Sequence, residues 1–270
     1  MSPDVFARDG KYLMLALDHR GSFKKFLNPR DPDAVDSQTI IARKREIIEV
    51  LGSAPSGILL DIEYGIYARR GLSHTPPYLL AMEETGYEEE GENRHTKVIY
   101  MASTIRAKGA SGAKLLLFMH GDGGEGDNTQ IIVAREALCN ARIYSLPFFL
   151  EIVIYGALRS EIGRSTLSAM RHLKAEGINP SVWKLEYPGS REECSHITNE
   201  AGKTPWILLS RGVLFEQFVT EVAVAASAGA KGFLVGRSLW QDVLRGIQSE
   251  RQERLRVLPL RFERLALAVG

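Results

Sequence analysis

The chain has 270 residues, 44% of them hydrophobic and 25% charged, which is the composition of a folded globular protein rather than a disordered one. Lys+Arg 34 against Asp+Glu 33 leaves a net charge of +1, so the long-range attraction used to bind nucleic acid or a membrane surface is missing and a small molecule is the expected partner. Cys139 and Cys194 are too few for a disulfide framework or a four-cysteine zinc site, and a reducing cytoplasm is the expected setting.

In chain order, the first apolar run, Tyr12–Leu17, is too short for an export leader and stops at Asp18-His19-Arg20; it reads as a strand. Further strands are expected at Ile58–Asp61, Lys97–Met101, Ala113–Phe118, Phe148–Ile154, Val182–Tyr187, Trp206–Leu209 and Gly232–Val235. Helical spacing falls between them at Ile40–Leu51, Thr129–Arg142, Arg164–Glu176 and Phe215–Ala228. The acidic stretch Glu83–Arg94 reads as an excursion over the barrel mouth, and Gly121–Asn128 as a flexible loop. No run reaches the length of a membrane span. Repeated β-then-α order without hairpin turns demands parallel strands, and eight such units close into a single (β/α)8 TIM barrel over residues 1–270. An open doubly wound sheet is the alternative, but no Gly-x-Gly-x-x-Gly follows the first strand.

In such a barrel the reaction site lies at the C-terminal ends of the strands. Charged residues there are Asp18, His19 and Arg20 after the first strand, Asp61 and Glu63 after the second, Lys114 in the fourth, Glu151 in the fifth, and Lys184 and Glu186 in the sixth. Lys114, Glu151 and Lys184 lie inside apolar runs, where an unpaired charge is costly. Each alone reads equally well as an outward side chain whose stem covers apolar surface. Three of them on three strands would meet inside a barrel. Two lysines and a glutamate in a dry pocket point to imine chemistry on a carbonyl. A free lysine, with a pKa of about 10.4, is neutral only about once in a few thousand at pH 7, and burial beside a second cation favours the neutral nucleophile. Lys114 is the candidate second cation, Glu151 the proton-transfer group, and Asp18 the acid that handles a substrate hydroxyl. This chemistry needs no metal and no cofactor.

The segments Leu15-Ala-Leu-Asp-His-Arg-Gly-Ser22, Leu59-Leu-Asp-Ile-Glu-Tyr-Gly65, Glu84-Thr-Gly-Tyr87, Ala113-Lys-Leu-Leu-Leu117, Phe148-Phe-Leu-Glu-Ile152, Trp183-Lys-Leu-Glu186, Leu209-Ser-Arg-Gly-Val213 and Val235-Gly-Arg237 occur in order at successive strand ends. Together they resemble the class I tagatose-bisphosphate aldolase family and its sulfosugar-phosphate aldolase relatives. The resemblance implies a TIM barrel and a Schiff-base aldolase, a carbon–carbon lyase acting on a phosphorylated ketose with dihydroxyacetone phosphate as the ketone product. It places the imine on Lys184, the proton-transfer carboxylate on Glu151, the assisting amine on Lys114 and the hydroxyl-handling acid on Asp18. The opening Asp18–Phe23 and Trp183–Glu186 also resemble an aldolase-like domain associated with inositol breakdown, the nearest competing family.

Ser210-Arg211-Gly212 and Gly236-Arg237-Ser238 follow the last two strands, where barrels hold phosphate on backbone amides and a guanidinium; the same residues also suit capped turns. Arg237 is the leading anion ligand. His19, Arg20 and Asp61 complete the expected substrate-binding set. The family carries Gln at the position of His19 and a small residue at that of Arg211. Arg211 therefore binds a second anionic group or pairs with an acidic neighbour. Two alternatives stay open: a metal-dependent lyase using His19, His120 and Asp61 or Glu63, and a sugar-phosphate sensor without turnover. The arginine-rich tail after Trp240 reads as a helix on the barrel's outside and a candidate subunit contact in a homo-oligomer.

Overall fold

The computed structural model describes residues 2–84, 94–244 and 248–270. Its eight strands, β1 (Tyr12–Leu17), β2 (Gly57–Leu60), β3 (Tyr78–Ala81), β4 (Gly112–Met119), β5 (Phe148–Ile154), β6 (Val182–Leu185), β7 (Trp206–Leu209) and β8 (Gly232–Val235), close in sequence order into a parallel barrel. The helices between and after them are α1 (Gly21–Leu27), α2 (Ser37–Leu51), α3 (Gly65–Ala68), α4 (Ala102–Ala107), α5 (Glu125–Ile143), α6 (Ile162–Ala175), α7 (Arg191–Ala201), α8 (Phe215–Ser227), α9 (Arg237–Trp240), α10 (Gln248–Leu255) and α11 (Val257–Val269). The expected TIM barrel is therefore the observed one. No helix among the described residues is long and apolar enough to cross a membrane.

Every strand is buried on both faces, the pattern of a parallel sheet covered by helices. Strand alternation sorts the side chains into two cores. Tyr12, Met14, Ala16, Leu59, Leu79, Ala81, Phe149, Val182, Ile207 and Leu234 fill the barrel interior, while Leu13, Leu15, Leu17, Leu115, Leu117, Leu150, Ile152 and Leu185 pack outward with the helical jacket. A short helical turn at Pro3–Phe6 closes the floor, where Phe6 is fully buried and meets Phe149 edge-on at 5.3 Å. Space for that ring comes from two glycines. A Cβ at Gly57 would lie 2.8 Å from Phe6 Cδ1, and one at Gly112 would lie 3.0 Å from Phe6 Cε2 and 2.6 Å from Leu79. The cavity opens at the other end, where the strands' C-termini lie.

Two expectations need correction, and a third falls outside the described residues. The third strand is Tyr78–Ala81, not Lys97–Met101. The latter run is apolar after Lys97, but Ile99 and Met101 are exposed and Val98 makes only an isolated antiparallel bridge to Glu83. The acidic stretch lies outside the described residues from 85 to 93. Helix α5 begins at Glu125, inside the stretch read as a flexible loop, because buried Asp127 accepts hydrogen bonds from the backbone N–H groups of His120, Gly121 and Gly123.

Candidate active site

The barrel mouth opens into a cavity of about 960 Å³ whose deep wall is charged. The same alternation that turns Phe149, Val182 and Ala81 inward brings Glu151, Lys184 and Glu83 inward two residues further along, while Lys114 stands in register with Ala81 and Phe149. Register completes the arrangement: β5 sets Glu151 beside Lys184 of β6, and β4 sets Leu116 beside Glu151. Lys184 Nζ lies 2.7 Å and Lys114 Nζ 2.8 Å from the same oxygen, Glu151 Oε2. Lys114 also donates to Asp18 Oδ2 at 3.1 Å and to Glu83 Oε1 at 2.5 Å, while the N–H of Leu116 donates to the other Glu83 oxygen at 3.3 Å. Four buried ionisable groups and the half-buried Asp18 thus form one cluster: three carboxylates around two amines.

The electrostatics follow from that ratio. Burial opposes the ammonium of Lys114, but Glu151, Glu83 and Asp18 outweigh it and hold its pKa well above the lysine range. Burial likewise opposes the charge on Asp18 and Glu151, yet Lys114 and Lys184 keep both below the ordinary carboxylate range. At rest Lys114 is therefore a cation, and Asp18 and Glu151 are anions. Next to them His19 is pushed down to about 3, first by burial and then by Arg237, Lys44 and Lys184, against the pull of Asp18 3.6 Å away. It is a neutral imidazole standing edge-on to Trp240.

At the opposite side of the mouth the loops after β7 and β8 meet. Ser210 and Ser238 are buried, the Gly236 N–H donates to Ser210 Oγ at 3.4 Å, and Ser238 Oγ donates to the Val213 carbonyl at 2.6 Å. Gly212 takes φ +80, and a Cβ there would come within 3.3 Å of the Arg237 guanidinium. Gly236 is tighter, since its Cβ would lie 2.9 Å from His19 Cε1. The result is a concave patch of backbone, hydroxyl and guanidinium groups close to the amine cluster.

Residues 12–242 match the DeoC/LacD family aldolase profile. The chain belongs to the DeoC/LacD aldolase family. It is 31% identical over 261 residues to a tagatose 1,6-diphosphate aldolase 1 of Enterococcus faecalis, covering 84% of this chain and 79% of that protein. A tagatose 1,6-diphosphate aldolase of Staphylococcus aureus is 29% identical over 268 residues, covering 87% and 82%. Two solved structures share the fold: a Schiff-base-forming fructose-1,6-bisphosphate aldolase (TM-score 0.68, 22% identity, 98% and 97% coverage) and the Plasmodium falciparum fructose-bisphosphate aldolase (TM-score 0.75, 15% identity, 98% and 92%).

Of the residues singled out from the sequence of this DeoC/LacD aldolase, Lys184, Glu151, Lys114 and Asp18 converge in the cluster, and His19, Arg20, Ser210, Arg211, Gly212, Gly236 and Arg237 line the cavity. Asp61 does not. Its carboxylate turns away from the mouth, fully buried against Lys44 Nζ and the N–H groups of Tyr64 and Gly65, which also removes it as a ligand in the metal-lyase reading. Arg20, only 4% exposed, bridges Glu63 and the backbone carbonyl of Glu83 through its two terminal nitrogens, while its buried Nε has no hydrogen-bond partner. Arg211 pairs with the buried Glu186 and also donates to the Ile154 carbonyl, which realises the acidic-neighbour alternative. It does so from φ +45, a conformation that costs a non-glycine residue energy. Sequence reasoning overlooked Glu83 and Lys44. Glu83 sits two residues beyond β3, so correct placement of that strand would have given its inward parity. Lys44 sits at an inward position of α2 beside Ile40, Ile47, Ile48 and Leu51, and a charged residue on an apolar helical face was the available signal.

Proposed function

We propose that this aldolase splits a phosphorylated ketose through an imine on Lys184, releasing dihydroxyacetone phosphate and an aldehyde. The observation that carries this reading is the pair of lysine amines within 2.8 Å of one glutamate oxygen at the bottom of the cavity. Glu151, held ionised, is placed to take a proton from Lys184; the free amine then adds to the C2 carbonyl to form a carbinolamine. Glu151 returns the proton to the departing hydroxyl, and loss of water leaves the iminium. Asp18 removes the proton of the C4 hydroxyl. The C3–C4 bond breaks, its electron pair enters the iminium, and the aldehyde leaves. Protonation of the enamine at C3 and addition of water then free the ketone product and the amine.

Lys114 remains protonated throughout and keeps Asp18 and Glu151 anionic between proton transfers. The loops of Ser210, Gly212, Gly236 and Arg237 are placed to hold the phosphate, and neutral His19 offers a hydrogen bond rather than a charge. Free Cys139 and Cys194 suit a reducing cytoplasm. Borohydride reduction in the presence of a ketose bisphosphate, followed by peptide mapping, tests the reading. A stable adduct is expected on Lys184 and none in a folded Lys184→Met variant; an adduct on Lys114, or none with any ketose phosphate, refutes it.

A further inference from the structure

Beneath the cavity lies a second ionic pair that the proposed chemistry does not touch. Lys44 of α2 and Asp61 after β2 both have fully buried side chains and bond directly to each other. Asp61 also caps the turn into α3 through the N–H groups of Tyr64 and Gly65. Lys44 Nζ makes one further hydrogen bond, 2.7 Å to the backbone carbonyl of Leu17, and lies 5.4 Å from the ring of Phe23 and 5.7 Å from that of Tyr64. A buried ion pair of this kind adds little stability over apolar side chains of the same shape. What it adds here is a directional bond to one particular carbonyl.

That carbonyl belongs to the peptide plane that also carries the nitrogen of Asp18. The ladder from β1 to β8 ends at Leu15 and the ladder to β2 ends at Leu17, so Leu17 is the last residue of this strand in register with a neighbour and Asp18 lies beyond both ladders. Side chains hold this strand end from its two flanks. Trp240 of α9 donates Nε1–H to the Ala16 carbonyl at 3.1 Å, and Lys44 of α2 donates to that of Leu17. Beyond them the chain turns sharply at Arg20 into α1. The aim of the Asp18 carboxylate therefore depends on Lys114 in front and on the fastened peptide behind.

We infer that Lys44, oriented by Asp61, is a positioning residue for carbon–carbon bond cleavage: it fixes the Leu17–Asp18 peptide so that the Asp18 carboxylate reaches the substrate hydroxyl. This rests on the proposed imine mechanism, but concerns a different step. Imine formation is assigned to Lys184 and Glu151 on β6 and β5, across the barrel from the anchored end of β1. Loss of the anchor should slow cleavage and leave imine formation intact, which a general loss of structure would not do.

The test uses Lys44→Met and the double variant Lys44→Met/Asp61→Asn. The double variant removes both charges yet keeps an acceptor for the Tyr64 N–H, so it remains folded even where the single variant, with an orphaned buried carboxylate, does not. Two readouts are taken on full-length protein: steady-state kcat for cleavage of a ketose bisphosphate, and borohydride-trapped adduct with dihydroxyacetone phosphate. A displacement of the reacting carboxylate by about 1 Å predicts a kcat loss of roughly 10- to 100-fold, with trapping yield and the KM for ketose bisphosphate within two-fold of wild type (~0.4 kcal/mol). Wild-type kcat in the folded double variant overturns the inference. So does a parallel loss of trapping and cleavage, because the effect is then not confined to the Asp18 step. Absence of trapping in the wild-type enzyme would instead refute the imine reading itself.

Discussion

Lys114→Met is the sharpest perturbation of the site. The substitution keeps the buried stem but removes the charge that contacts Asp18, Glu83 and Glu151, leaving three carboxylates around the single amine of Lys184. Lys114 is 2% exposed and Glu151 5%, so solvent screens these contacts poorly. Breaking a buried pair by removing one partner costs about 3–5 kcal/mol, which for a chain of this size lowers Tm on the order of 10 °C.

The pH dependence has a definite sign. In the wild type, Lys114 has a raised folded pKa, so its contribution is complete below the unfolded lysine value and is lost as pH rises through the folded value. Asp18 and Glu151 have lowered folded pKa values, so theirs is present above the unfolded carboxylate value and is lost as pH falls through the folded one. Without Lys114, burial dominates and the carboxylates take up protons in the folded state. The destabilisation should be largest at neutral pH and shrink toward about pH 5. Urea unfolding of both proteins between these limits measures it. A loss below about 1 kcal/mol at pH 7, or one that grows on acidification, would refute the assignment of Lys114 as the cluster's compensating charge.

Three further outcomes are expected. Because His19 is pushed down to about 3 by burial and nearby cations, its imidazole NMR signals should not titrate between about pH 5 and 8. Folding stability from this residue should be full above the unfolded value of about 6.5 and decline as pH falls toward the folded one; a His19 midpoint near 6.5 contradicts this. Gly236→Ala drives a Cβ to 2.9 Å from His19 Cε1, so KM for a phosphorylated substrate should rise about ten-fold, or about 1.4 kcal/mol, with inhibition by inorganic phosphate weakened in parallel; unchanged phosphate affinity would remove Gly236 from the anion site. Phe6→Ala empties the barrel floor and should cost about 3–5 kcal/mol in denaturant unfolding, while kcat per folded molecule stays near wild type.

The sequence by itself determined most of the barrel, because each long parallel strand announces itself as an apolar run buried on both faces. It also exposed Lys114, Glu151 and Lys184, since a charge inside such a run conflicts with its surroundings. The third strand was not legible: Tyr78–Ala81 and Lys97–Met101 are both short apolar runs, and only burial, complete in the first and lacking at Ile99 and Met101 in the second, tells them apart. That misplacement hid Glu83, whose inward direction follows only from its distance to the true strand. Tertiary structure alone decided which acid meets which base. Asp61 and Asp18 both follow barrel strands, but one is drawn outward and sealed by Lys44 on α2 while the other is drawn inward by Lys114 on β4. Such pairings join residues far apart in the chain, and their identity is fixed by barrel register and helix docking, quantities that no local pattern of residues encodes.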